Sequence, residues 1–447
     1  MSAVSGILLV GGASERFGSP KALARFRGES LAERAWRLLH EVCDEVLAVG
    51  KTGDALELPF AILDDESEQR APVHGLIAGL RAAANDVCIV LPVDCPLVTG
   101  EALRALAGAI AVPQTGPLPG AYSKQMLPDL EAHVARGELS LRGVNPIVLE
   151  LDENLLLNVN TRTELMTAAV ADWAREREEV RALLVVGSQA RADTPADRWS
   201  DLDLIFFIED PKPYLEDASW VEEFGVPVVT FLEATLYGHW ERRVLYETGE
   251  DVDFVLFPAS ISERLETSKG AAELLARGYR LLIDRAGIAE TLERSAAMPR
   301  PSGPTQHDFN ELASDFWYHA LWTAKKLRRG EVFTALDCLD GYMKARVVTL
   351  LGWHARSVDP SVDTWHAGRF VERWADPGAL AALEKAFAHY DVRDVARALW
   401  ETIDLWQGLE EETASRLGFV LTLDHRDLRR RVAEIVPDPR HASTLWP

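Results

Sequence analysis

The sequence predicts an α/β protein: an N-terminal doubly wound unit, then an α+β unit, then a helical bundle. Three observations carry this reading. Over roughly the first 165 residues, continuous apolar runs alternate with helix-spaced segments, the pattern of a parallel sheet covered on both faces. A second set of strand-like runs follows, two of them with acids at the start. Beyond the Pro-rich stretch MPRPSGPTQHD almost everything reads as helix. The expected division is 1–167, 168–295 and 296–447.

The elements follow in order. VSGILLV is a buried strand, and SLAERAWRLLHEVC is a helix with Ser30 as its N-cap. EVLAVG and PFAIL are strands, HGLIAGLRAAA a helix, DVCIVLPVD a strand and GEALRALAGAI a helix. NVNTRTELMTAA opens a helix that leaves this unit. ADWAREREEVRA reads as a separate charged amphipathic helix, followed by the strands ALLVVGS, DLDLIFFIED, GVPVVTFLE and VDFVLFPAS. The last third holds four helical stretches: NELASDFWYHALWTAKKLRRG, FTALDCLDGYMKARVVTLLGW, ALAALEKAFAHY and DVARALWETIDLWQGLEEETASRLG. Most of the 13 tryptophans lie there, as core filling between packed helices.

Composition bounds the function. A chain of 447 residues is too long for one ordinary core. No apolar run is long enough to cross a bilayer, and MSAVSGILLV lacks the basic leader of a signal peptide. The four cysteines form no CxxC pair, which fits a reducing cytoplasm and no structural zinc. A net charge of -23 repels nucleic acid and suits cationic partners, or divalent metal holding a phosphate substrate.

The stretch LLVGGASERFGSPK, from Leu8 to Lys21, leaves a strand through Gly11-Gly12 and continues into Arg16 and Lys21. Bare N–H groups at the carboxyl edge of a parallel sheet make an anion-binding concavity, and the two cations add charge for phosphate. GGASERFGSPKA resembles the signature of the molybdenum-cofactor guanylyltransferase family of nucleotidyltransferases. DDESEQRAPVHGLIAGL, LPVDCPLV, PLPGAYS and NVNTRTEL are similar to its later motifs. The resemblance implies a Rossmann-like fold, with Gly11, Gly12, Arg16 and Lys21 on the triphosphate, Asp65 on the base and Asp94 on magnesium. Ala71 stands where the family usually has glycine, and Val73 where it has leucine.

The second arrangement is GSQARADTPADRWSDLDLIFF, with EDVDFVLFP later. Asp201 and Asp203, at i and i+2 of a strand, point to one face. Two such carboxylates repel unless a cation lies between them. Asp253, before a neighbouring apolar strand, completes an acidic set that could hold two metal ions. From about residue 174 to 428 the chain resembles the streptomycin/aminoglycoside 6-adenylyltransferase family of polymerase-β-like nucleotidyltransferases. DASWVEEFG, VDFVLFP and SDFWYHALWTAKKLRRGE are part of that resemblance. It implies that Gly187, Ser188 and Lys325 bind the nucleotide's phosphates, that Asp201 and Asp203 bind magnesium, and that Asp253 is third ligand or general base. Gln189 replaces the arginine usual after Gly-Ser, with Arg191 two residues on. Asp315 and Glu311, on one helix face, could meet a cationic acceptor.

Together these readings predict a magnesium-dependent, cytoplasmic, bifunctional nucleotidyltransferase. Its C-terminal half would pass AMP from ATP to a hydroxyl of an aminoglycoside-like acceptor. Its N-terminal half would pass GMP from GTP, or another NMP, to a phosphorylated acceptor such as molybdopterin. The alternatives are a nucleotide sensor with an inactive site, or an N-terminal sugar-phosphate nucleotidyltransferase.

Overall fold

A computed structural model describes residues 3–11, 17–145, 147–191, 196–235, 238–298, 303–364 and 366–441. The chain forms two compact units, Met1–Pro299 and Arg300–Pro447.

The first unit holds two main sheets. The first begins with β1 (Val4–Leu9), followed by a short hairpin of β2 (Arg25–Phe26) and β3 (Glu29–Ser30). Helix α1 (Leu31–Val42) starts at Ser30, whose side chain accepts from the Glu33 amide while Glu33 accepts from the Ser30 amide. Then come β4 (Glu45–Gly50), β5 (Ile62–Asp64), α2 (Pro72–Ala82), β6 (Val87–Pro92), α3 (Gly100–Ala109), β7 (Val112–Pro113), β8 (Gly120–Ser123), α4 (Leu127–Ala135) and β9 (Val148–Leu149). The strand order is β5-β4-β1-β6-β8, parallel except for the edge strand β8. Five of the six β1 residues are buried, as a doubly covered strand requires. Gly79 lets α2 lie directly on β1: a methyl there would come within 2.6 Å of Ile7.

Helix α5 (Arg162–Arg175), capped by Thr161 and Glu164, leads into the second sheet. That sheet comprises β10 (Val180–Val186), β11 (Leu202–Ile208), β12 (Pro227–Ala234), β13 (Trp240–Tyr246), β14 (Asp251–Pro258) and β15 (Arg280–Asp284). Its order is β12-β13-β14-β11-β10-β15, with β11 and β14 the parallel pair. Helices α6 (Lys212–Glu216), α7 (Lys269–Leu275) and α8 (Ala289–Ala296) complete the unit.

The two sheets share one core, and α5 is its hinge-pin. Trp173 of α5 is fully buried, with Trp220 at 5.4 Å, Phe224 at 5.7 Å and Phe206 at 6.2 Å between ring centres. On its outer side, Arg27 from the first half pairs with Asp172 at 2.9 Å and Glu176 at 2.7 Å. The expected helix over ADWAREREEVRA forms only in its first five residues, Ala171–Arg175, as the end of α5. Helix α5 runs through to Arg175, a charged turn spans the next residues, and β10 starts at Val180. Trp173 must reach the core, so the helix is set by the capping box upstream rather than by the charged tail. The 167/168 junction therefore falls inside α5, whereas the 295/296 junction lies close to the division between the compact units.

The second unit is helical: α9 (Gln306–Arg328), α10 (Val332–Asp337), α11 (Lys344–Val358), α12 (Val371–Trp374), α13 (Pro377–Lys385), α14 (Val392–Leu417) and α15 (His425–Ile435). The stretch expected as one helix from Phe333 is interrupted by a π-helical turn, Cys338–Met343. Phe316 and Trp406 stack at 3.9 Å in the core, and Trp317 and Trp400 are buried, as core tryptophans should be.

Candidate functional site

The first candidate site lies at the carboxyl ends of the parallel strands, where open α/β sheets bind ligands. Gly11 leaves β1 and rests on Gly50 and Lys51 at the end of β4. Asp94 follows β6, and its carbonyl accepts from the Val159 amide at 2.8 Å. Lys21 opens a short 3-10 turn. Its ammonium donates to Asp94 Oδ2 at 3.0 Å and to Asn160 Oδ1 at 2.8 Å. The amide of Asn160 donates in turn to Glu164 at 2.6 Å, so the cap of α5 fixes this corner. Asp65, just past β5, is held by Lys51 at 2.6 Å and by the Ser67 amide. Lys51 also donates to the carbonyls of Ser67 and Gln69.

Lys21 and Asp94 thus come together, as do Gly11, Lys51 and Asp65. Gly12 and Arg16 lie outside the described residues. Lys51 and Asn160 were not singled out from the sequence. Lys51 follows a strand with no motif around it, and Asn160 sits inside a quoted motif with no role attached.

The second candidate site is built on the parallel pair β11 and β14. Their register sets Asp203 opposite Asp253. Asp201 lies one residue before β11 rather than on it, yet one carboxylate oxygen from each of Asp201, Asp203 and Asp253 falls within 4.8 Å of the others. Among the described residues this is the only such group of three or more metal-ligating side chains. Gly187 turns out of β10 with a φ of 66°, and Ser188 and Gln189 both donate to the carbonyl of Asp201, at 3.5 and 3.4 Å.

The electrostatics ask for a cation. Burial pushes Asp203 up to about 7, and the charges of Asp201, Asp253 and Glu241 add to it. Burial also raises Asp253, opposed by Arg243. That arginine, on β13, donates Nε to Oδ1 of Asp253 at 2.8 Å and Nη2 to Oδ2 at 2.7 Å. Neither Arg243 nor Glu241 was legible, because strand pairing between β13 and β14 brings them in. A divalent cation fits this donor set: three carboxylates crowded in a part-buried corner repel one another unless positive charge offsets them.

Three expected residues lie in the helical unit. Lys325 is exposed on α9. Asp315 does not stand open to a cationic acceptor: it pairs with Arg346 at 2.7 Å and with His319 at 2.8 Å, and Tyr342 donates to it at 3.1 Å. Glu311 is exposed.

The model of the streptomycin adenylyltransferase family matches residues 160–433. The chain belongs to that family. Residues 6–150 match the MobA-like NTP transferase domain, so the chain carries two nucleotidyltransferase domains in sequence. The aminoglycoside 6-adenylyltransferase of Bacillus subtilis (strain 168) is 23% identical over 197 residues, 42% of this chain and 66% of that protein. The chain therefore spans about two thirds of the length of that relative. A probable molybdenum cofactor guanylyltransferase of Chloroflexus aggregans is 34% identical over 155 residues, 31% of this chain and 74% of that protein. One of Aquifex aeolicus is 31% identical over 173 residues and 86% covered. Among solved structures, an aminoglycoside 6-adenyltransferase from Bacillus subtilis is 16% identical with a TM-score of 0.31, covering 61% of this chain and 98% of that one. Among the described residues no helix is long and apolar enough to cross a membrane.

Proposed function

We propose that this chain is a magnesium-dependent bifunctional nucleotidyltransferase. The second site transfers AMP from ATP to a hydroxyl of an aminoglycoside-like acceptor. The first transfers GMP, or another NMP, to a phosphorylated acceptor such as molybdopterin. The convergence of Asp201, Asp203 and Asp253 is the observation that supports this most directly.

At the second site the acceptor oxygen forms a bond to the α-phosphorus. The bond from that phosphorus to the bridging oxygen breaks, and pyrophosphate leaves with the electron pair. The hydroxyl proton passes to a carboxylate of the cluster. Gly187 and Ser188 give the phosphates a close backbone approach. Magnesium, when bound by Asp201, Asp203 and Asp253, would offset the charge gathering on the phosphate oxygens. Because Arg243 already donates to both oxygens of Asp253, we assign that residue the role of third ligand rather than base.

At the first site, Lys21 would exchange Asp94 and Asn160 for the triphosphate, and Gly11, Gly12 and Arg16 would line its phosphates. Asp65, fixed by Lys51, would read the base, and Asp94 would take the metal. The free cysteines fit a reducing cytoplasm.

The test is release of pyrophosphate by the full chain with ATP or GTP, with and without magnesium, across a panel of hydroxyl acceptors. Magnesium-dependent release that Asp203→Asn abolishes with ATP, while ATP still binds, supports the reading. Tight nucleotide binding with no release for any acceptor supports a sensor instead.

A further inference from the structure

We propose that Arg243 is a positioning residue of the second site: its fork fixes the Asp253 carboxylate toward Asp203 and, by its charge, weakens cation binding in the absence of nucleotide. The inference rests on the reading of Asp201, Asp203 and Asp253 as a metal-binding set.

The geometry begins with the sheet. Arg243 of β13 and Asp253 of β14 are direct antiparallel partners, and Asp253 is in turn opposite Asp203 of β11. Three strands thus carry a row running from guanidinium to carboxylate to carboxylate. The fork closes on both oxygens of Asp253, at 2.8 and 2.7 Å, and the Asp253 side chain is only 8% exposed. The remaining arm, Nη1, donates to Glu233 of β12 at 3.1 Å. The guanidinium is therefore contacted from the far side as well.

Two consequences follow from chemistry alone. A planar fork that takes one lone pair from each oxygen sets the plane of the carboxylate. Asp253 can then offer a cation at most the outward lone pairs, in one fixed direction. The same guanidinium is also a fixed positive charge beside the acidic cluster, and a fixed positive charge disfavours a second cation there. Removing a residue that merely held the sheet together would weaken, or leave unchanged, both metal binding and turnover. A positioning residue of this kind moves them in opposite directions.

The experiment titrates Mn²⁺ into the full chain without nucleotide, with Asp203→Asn used to identify the cluster's share, and pairs this with pyrophosphate release from ATP. For Arg243→Ala, Mn²⁺ binding tightens on the order of tenfold, while kcat falls on the order of a hundredfold and KM for ATP changes little. Arg243→Lys keeps the charge but not the fork. It retains wild-type Mn²⁺ affinity and still loses turnover. A folded Arg243→Ala variant whose Mn²⁺ affinity is unchanged or weaker overturns the proposal, as does full turnover by Arg243→Lys. Should the alanine variant fail to fold, the lysine variant decides by its turnover. The two readings separate cleanly. Mn²⁺ binding untouched by Asp203→Asn overturns the metal site itself. Binding that Asp203→Asn removes but Arg243→Ala does not tighten overturns only the role of Arg243.

Discussion

Gly187 lies directly against Asp203. A methyl group on residue 187 would fall on Oδ2 of Asp203, well inside van der Waals contact, and the glycine holds a φ of 66° that side chains disfavour. The turn that leaves β10 and the carboxylate that starts β11 are thus fitted to each other with no room for a Cβ. Gly187→Ala should displace Asp203, cost about 1–3 kcal/mol through the backbone alone, and reduce pyrophosphate release from ATP by on the order of a hundredfold. Steady-state kinetics beside a thermal melt would check both; an alanine variant with wild-type turnover would contradict this fit.

Lys21 is shared between Asp94 and Asn160 in the first site. Lys21→Met should therefore weaken triphosphate binding there by on the order of tenfold to a hundredfold, as loss of a charge-assisted contact does. It should leave release of pyrophosphate by the second site unchanged. Calorimetric titration with GTP, run beside the ATP assay, distinguishes a local effect from a general loss of fold.

Trp173 should behave as a residue of both halves. It is fully buried among Phe206, Trp220 and Phe224, on a helix whose start fixes the Lys21 corner. Trp173→Ala should cost about 3–5 kcal/mol and lower both activities together. Unit Met1–Pro299 should melt in a single transition. Two separate transitions within that unit would show that the shared core does not couple the halves.

The helical unit carries its own pH dependence. Glu410 is almost fully buried; Trp406 donates to it at 2.6 Å, and His425 lies 3.2 Å away. The Glu410 carboxylate at this distance raises the His425 pKa above its ordinary value near 6.5. For a base raised in the folded state, the stability is fully present below the unfolded pKa and is lost as pH rises through the folded one. At on the order of 1 kcal/mol, the melting temperature of this unit should fall by about 2–4 °C as pH increases beyond 6.5. His425→Gln should flatten that slope in scanning calorimetry between pH 5.5 and 8.5.

Much of this was legible because it is local. The strand endings at Gly11 and Asp94, the Ser30 cap and the Asp201-x-Asp203 spacing are each short runs whose chemistry does not depend on distant chain. Asp253 was legible as an acid before an apolar strand. What escaped is pairing across sequence. Arg243 meets Asp253 only because β13 lies beside β14, and nothing within WERRVLY marks it. Lys51 meets Asp65 through two adjacent strand ends. Asp315 read as an open acid because Arg346 arrives from α11, beyond the π-helical turn. The charged run after Trp173 read as helix by composition, whereas its residues form the turn that lets the chain reverse into β10.

Helix α5 closes the first fold with its cap and opens the second with its tryptophan. Lengthening or shortening α5 between its cap and Trp173 would disturb the core that the two sheets share. Fission of the gene near residue 165 would leave each product with a raw apolar wound. A working split would have to give the helix to one partner and a substitute covering to the other.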